Sequence, residues 1–214
     1  MNWKIRAACA LVIGGLAASA NGAEFRTANF EVIAEESAVA EIVGQAAEDL
    51  RLELARRWLS EPIGNWTFRC RITVAATAEG GSGLTTYEKF DGRLKRIGIQ
   101  LQGPLDRLMD YVLPHELTHA VLITALEHTP PRWADEGAAM LSESRAQRLR
   151  QRLVVEELVK TKRAIPLREV LRVAEYPRER RANHAFYSQS LALTEFLTSR
   201  GGYPRFLQFV RDGY

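Results

Sequence analysis

The sequence predicts an α+β fold with its strands first and its helices after. Three observations lead there. Strand-like alternation of apolar and polar residues is confined to roughly the first hundred residues, helical periodicity dominates from Pro104 onward, and the 214-residue chain is 46% hydrophobic and 26% charged. That composition is ordinary for a globular protein, and strands followed by a run of helices is the α+β pattern. No internal repeat, low-complexity tract or interdomain linker interrupts it, so a single domain is expected over residues 24–214.

In chain order, Phe25 to Ala34 alternates, with Phe30, Val32 and Ala34 on one face, and is expected to form the first strand. Ser37 to Ser60 carries apolar residues at Val39, Ile42, Val43, Ala46, Ala47, Leu50, Leu54 and Trp58. This is a helical period, closed by Glu61-Pro62-Ile63-Gly64. A strand follows around Phe68 to Ala75, then the Gly-rich stretch Gly80-Gly81-Ser82-Gly83, then a strand over Arg93 to Leu101 with Ile97, Ile99 and Leu101 on one side. The N-terminal half is therefore expected to be a small antiparallel or mixed sheet with one packed helix. Helices are expected over Leu105 to Leu126, Glu136 to Glu143, Ala146 to Lys162, Leu167 to Val173, Tyr187 to Ser199 and Pro204 to Arg211.

The first 23 residues have the form of a secretory leader. Lys4 and Arg6 supply a positive start, Ala7 to Ala18 a small apolar run, and Ala18-Ser19-Ala20 and Asn21-Gly22-Ala23 two small-residue cleavage sites. An exported protein, periplasmic or extracellular, is the expectation, and no second long apolar stretch predicts stable membrane insertion. Without Lys4 and Arg6 the chain has 27 basic and 26 acidic side chains, so the basic pI does not point to nucleic acid. Cys9 falls in the leader. Cys70, in the alternating Thr67 to Val74 run, is expected to be a buried structural thiol. Arg178-Glu179-Arg180-Arg181 is expected to be a solvated loop and His128 a loop histidine.

The chemistry-bearing residues are His115-Glu116-Leu117-Thr118-His119. On a helix, two His four apart lie on one face and can share a metal ion, while Glu116 lies beside it within reach of a water. A broad apolar face (Leu105, Leu108, Met109, Val112, Leu113, Leu117, Ala120, Val121, Leu126) supports the helix. Pro114 removes a backbone donor and predicts a restart or kink just before His115. A catalytic zinc takes three protein ligands and leaves one position open, with His₂Glu a common set. Glu136, 17 residues beyond His119, follows the loop His128-Thr129-Pro130-Pro131-Arg132 and can bring a carboxylate back to the same point. Asp135 is the alternative third ligand; its other expected role is to fix the ring of a ligating His.

His-Glu-Leu-Thr-His followed by Pro131-Arg132-Trp133-Ala134-Asp135-Glu136-Gly137-Ala138-Ala139 resembles the gluzincin metallopeptidases, in particular the small bacterial peptidase MA-like domains. The resemblance covers most of residues 24–214 and implies a zincin-like layout: a small N-terminal sheet with a helix, then the active-site helix and a mostly helical C-terminal part. It implies Zn²⁺ held by His115, His119 and Glu136, Glu116 as general base, and a peptide or protein substrate. It also implies a Tyr or His on a later helix facing the oxyanion: Tyr187 first, His184 second. By the same resemblance, Ile97 to Leu101 is expected to be the edge strand that pairs with an extended peptide. Gly83, Leu84, Thr85 and Thr86 either flank the cleft or belong to a hairpin turn. Trp66, Trp133 and Phe186 are expected in the core or cleft wall.

The function expected from these residues is zinc-dependent peptide-bond hydrolysis. A rival is a zinc-binding or interaction module that no longer turns over, and a third is another hydrolase on the same metal site. Glu116 weighs against the first rival, because a structural zinc closes its fourth position with protein, often Cys, and needs no base beside it.

Overall fold

The structure is a computed structural model that describes residues 6–8, 22–59, 61, 63–126 and 128–213. The α+β arrangement is as expected, with a mixed sheet in the N-terminal half and helices after it. Most of the expected leader lies outside the described residues. Within it, Arg6–Ala8 forms strand β1, and Ala23 is the first residue of β2 (Ala23–Arg26). Among the described residues no helix is long and apolar enough to cross a membrane.

Phe25 to Ala34 is not one strand. It is a hairpin of β2 and β3 (Phe30–Ala34), because Thr27 turns the chain by donating its amide to Phe30 O at 3.0 Å while its hydroxyl accepts from Phe30 N at 3.0 Å. The alternation in β3 is real: Phe30, Val32 and Ala34 are buried. Helix α1 (Ser37–Leu59) crosses over to β4 (Cys70–Ala76), which lies parallel to β3, the β-α-β connection such a pair needs. Cys70 is fully buried there, and burial pushes its thiol far above the usual range, as befits an inert packing residue.

Two further strands complete the sheet. β5 (Ser82–Phe90) and β6 (Arg93–Gly103) form a hairpin closed by Asp91-Gly92, both at positive φ (48° and 74°), a two-residue turn of the kind that suits twisted strands. β6 lies parallel to β4, and the full order is β1-β5-β6-β4-β3-β2. This corrects the expected edge strand. Ile97, Ile99 and Leu101 sit inside the sheet, 0 to 2% exposed, and β5 lies outside them with only the short β1 beyond. β5 is hard to see in sequence because its buried positions are Gly83 and Thr85 rather than large apolar side chains.

Pro104 starts the helical half. After the single turn α2 (Leu105–Arg107), residues Leu108–Val112 are π-helical, and α3 (Leu113–Leu126) follows. Leu113 N donates to Leu108 O, five residues back. Pro114 has no N–H for the carbonyl four residues earlier, so the ladder slips by one residue at the point where the sequence predicts a kink. α3 leaves this bulge with a new phase and runs behind β5 and β6, beside α1.

α4 (Arg132–Leu141) starts four residues earlier than its apolar pattern suggests, directly after Pro131, and α5 (Arg145–Lys160), α6 (Leu167–Arg172), α7 (Arg180–Gly201) and α8 (Tyr203–Asp212) complete the chain. Trp133 is 1% exposed and meets Phe206 edge-on, and Phe206 in turn lies beside Trp58, tying α4, α8 and α1 into one core. Phe186 is fully buried and Trp66 partly so, against Phe30. Arg178 to Arg181 are exposed where α7 begins, and His128 is exposed in its loop.

α4 and α7 pack backbone to backbone. A β-carbon on Gly137 would stand 2.1 Å from Thr194 Oγ1 and 2.5 Å from the Ser190 carbonyl oxygen, so the two helices would have to part. Gly137→Ala gains up to about 1 kcal/mol of helix propensity, but overpacking against backbone costs about 1–3 kcal/mol. The expected result is a net loss of stability, read as a lower denaturant midpoint with an unchanged m-value.

Candidate metal centre

α3 presents His115, Glu116 and His119, and α4 brings Glu136 against them. The two imidazole centroids are 5.0 Å apart on one helix face. Glu136 Oε2 lies 3.5 Å from His115 Nε2 and 3.8 Å from His119 Nε2, and ligand atoms of all three residues fall within 4.8 Å of one another. Tetrahedral bonds near 2.1 Å would put neighbouring ligand atoms about 3.4 Å apart. The three groups therefore stand close to ligand spacing. His119 Nε2 and Glu136 Oε2 are buried with no hydrogen-bond partner, two polar atoms aimed at one point that a cation would satisfy. The N₂O donor set suits zinc and its transition-metal neighbours.

The outer ring nitrogens are also held. His119 Nδ1 is 2.7 Å from Asp135 Oδ1, and His115 Nδ1 is 2.8 Å from Glu143 Oε1. With Nδ1–H donated to a carboxylate, the Nε2 lone pair of each ring faces the centre, the tautomer a metal ligand requires. Asp135 thus lies against His119, and Glu136 is the acid in the triad. Glu143 is a partner the sequence did not single out. It sits two helical turns beyond Glu136, just past the end of α4, and only that seven-residue spacing hinted at it.

Glu116 stands outside the triad and is 2% exposed. Thr85 Oγ1, from β5, lies 2.7 Å from Glu116 Oε2 and 3.0 Å from the Glu116 carbonyl oxygen, close enough to donate to either. A β-carbon on Gly83 would come within 2.4 Å of Glu116 Cγ and 2.6 Å of Oε1. Only glycine lets β5 pass this close, so Gly83 and Thr85 flank the site rather than merely turn the chain.

Glu136 Oε1 accepts a hydrogen bond from Tyr176 Oη, in the loop between α6 and α7. Tyr176 in turn accepts from Arg132 Nη1 at 3.1 Å. Tyr187 is stacked on Tyr176, with centroids 5.8 Å apart and planes 6° from parallel. His184 is exposed on the same helix. Tyr176, which carried no motif but precedes Pro177, thus puts a phenol in direct contact with the triad.

Burial dominates the electrostatics. It raises the Glu116 carboxyl above its usual range, only partly opposed by the two imidazoles. It pushes His119 down, but the charge and hydrogen bond of Asp135 outweigh it and bring the imidazole up to about 9. It pushes His115 down too, yet the neighbouring carboxylates of Glu136 and Glu143 hold that ring well above its ordinary value. Glu136 is lowered despite its burial by both imidazoles and the Tyr176 hydroxyl. The neighbouring carboxylates thus favour the protonated form of both imidazoles.

Compared with protein-family models, with curated proteins and with solved structures, the chain matches none.

A His whose folded pKa is raised from 6.5 to about 9 adds stability that is complete below pH 6.5 and lost as pH rises toward 9. Thermal melts of chelator-treated protein should show Tm falling across that window. Cation affinity should move the opposite way, rising with pH as two imidazoles release their protons. A flat metal-free Tm from pH 6.5 to 9 would refute the raised imidazoles.

Proposed function

We propose that the protein is an exported zinc-dependent peptidase of the gluzincin type, with His115, His119 and Glu136 as zinc ligands and Glu116 as general base. The observation that carries this is Glu116. It is a buried carboxylate adjacent in sequence to a ligand, outside the ligand set, and locked by Thr85 and Gly83 beside the centre. A site that only stores a cation has no use for such a group.

A zinc ion held by the triad would polarise a substrate carbonyl and make a nearby water more acidic. Glu116, its carboxyl shifted upward toward the working range of a base, takes the proton of the attacking water and passes it to the leaving amine. Asp135 and Glu143 keep both imidazoles in the ligating tautomer. Tyr187 is assigned to the oxyanion as the phenol on α7. The peptide substrate is supported by β5, which borders Glu116 and pairs antiparallel with Arg6–Ala8 through Thr85, Thr86 and Tyr87. An extended chain laid there would lie along Thr85, the residue that holds the base. The leader-like residues 1–23 support export.

Elemental analysis should find about one zinc per chain in the wild type and markedly less in Glu136→Ala or His119→Ala. Glu116→Gln should retain the zinc and lose turnover of a peptide library by about 10²- to 10⁴-fold. Retained zinc with no cleavage of any peptide by the wild type would favour the binding-module reading instead. Tyr187→Phe should keep the zinc and lower kcat by about 10²- to 10³-fold if its hydroxyl meets the oxyanion, and an unchanged kcat would leave it as a packing ring.

A further inference from the structure

We propose that Tyr176 is a positioning residue that sets how Glu136 meets the cation, and that Arg132 holds Tyr176 in that role; this rests on the metal centre proposed above. A carboxylate can offer a metal one oxygen or both. Here the two oxygens of Glu136 are already distinguished: Oε1 accepts from the Tyr176 hydroxyl, and Oε2 alone is unpartnered and faces both Nε2 atoms. With Oε1 engaged by the phenol, Glu136 would meet a cation through Oε2.

The direction of this hydrogen-bond chain is fixed by chemistry. Arg132 can only donate, so Tyr176 Oη accepts from Nη1, and its single proton goes to Glu136. Arg132 and Glu136 are four apart on α4 and share a face, so one helical turn supplies both the donor and the acceptor at the phenol oxygen. Arg132 grips the loop twice more, with Cζ 4.5 Å from the Tyr176 ring centroid and Nε donating to Ala174 O at 3.4 Å. Segment 173–179 has no helix or strand of its own, and Pro177 restricts Tyr176 to extended backbone. Stacking on Tyr187 and edge contact with Phe186 complete the hold. The arginine of the Pro-Arg-Trp stretch thereby acquires a task at the metal, through a residue some forty positions downstream.

The test is cation binding by full-length protein freed of metal, titrated with Zn²⁺ against a chromophoric chelator and, separately, with Co²⁺ by visible absorption. Tyr176→Phe keeps the ring and its stacking and removes only the hydroxyl. It should weaken Zn²⁺ binding by about 10- to 100-fold, and it should dim the Co²⁺ bands as Glu136 Oε1 is released and the coordination number rises. Arg132→Met should shift both readouts in the same direction, and Arg132→Lys should recover part of the loss. His128→Gln, an exposed loop position away from the site, should leave Zn²⁺ affinity unchanged. Wild-type affinity and spectrum in Tyr176→Phe would overturn the inference while leaving the metal centre standing. Unchanged affinity with a collapsed kcat would also overturn it, making Tyr176 a catalytic residue. A wild-type protein that takes up neither ion would overturn the metal centre and this inference together.

Discussion

Four carboxylates, Glu116, Asp135, Glu136 and Glu143, surround two imidazoles in a largely buried space, and the surrounding architecture answers to that concentration of charge. An isolated carboxylate moved into a protein interior is strongly destabilised unless it is paired or protonated. Here Asp135 and Glu143 are each paired with an outer ring nitrogen, while at the centre His119 Nε2 and Glu136 Oε2 face each other across 3.8 Å without a bond between them. Raised imidazoles and a lowered Glu136 are the metal-free response to that arrangement, and a divalent cation is the other way to neutralise it.

The scaffold holds the charges by close approach of backbone, which explains residues that have no polar role. The π-helical turn forced by Pro114 sets the phase in which α3 presents both His to α4. Gly137 lets α4 sit against α7, and Gly83 lets β5 lie on Glu116, so the sheet and the two helices converge on one small volume. Large side chains at either glycine would add core but move a charged group off its partner. Apolar packing is supplied elsewhere, by Trp58, Trp133, Phe206 and the buried faces of β3, β4 and β6. Site geometry and core stability are thereby assigned to different residues.

This division decides what the sequence discloses. His115, Glu116, His119 and Glu136 were legible because helical spacing turns sequence positions directly into geometry. The strand-to-helix order was legible for a similar reason, since burial on one face leaves a period. β5 was not, because the residues it buries face a carboxylate rather than the core and so are Gly83 and Thr85. The Asp91-Gly92 turn was the local signal that a hairpin stood there. The break of Phe25 to Ala34 into two strands turned on Thr27 and Phe30 bonding across three residues, which no apolar pattern records. Thr85, Glu143 and Tyr176 reach the site from 31, 28 and 40 residues away from the groups they hold, and only the tertiary fold reveals such partners.

The two unpartnered atoms at the centre also bear on how stable the metal-free protein can be. A buried polar atom left without a partner costs about 1–3 kcal/mol, and two of them amount to a sizeable part of the 5–15 kcal/mol that separates a domain of this size from its unfolded chain. Relieving that cost by local collapse would require a His ring to turn or Glu136 to swing, and each is held against it. Asp135 and Glu143 fix the rings, and Tyr176 fixes the Glu136 oxygen that faces away. The strain is therefore retained at the centre rather than relaxed, which is the condition under which a cation binds to a preformed site. The same outer contacts that hold the rings and Glu136 in place before a cation arrives thus favour its binding, and removing any of them should weaken that binding.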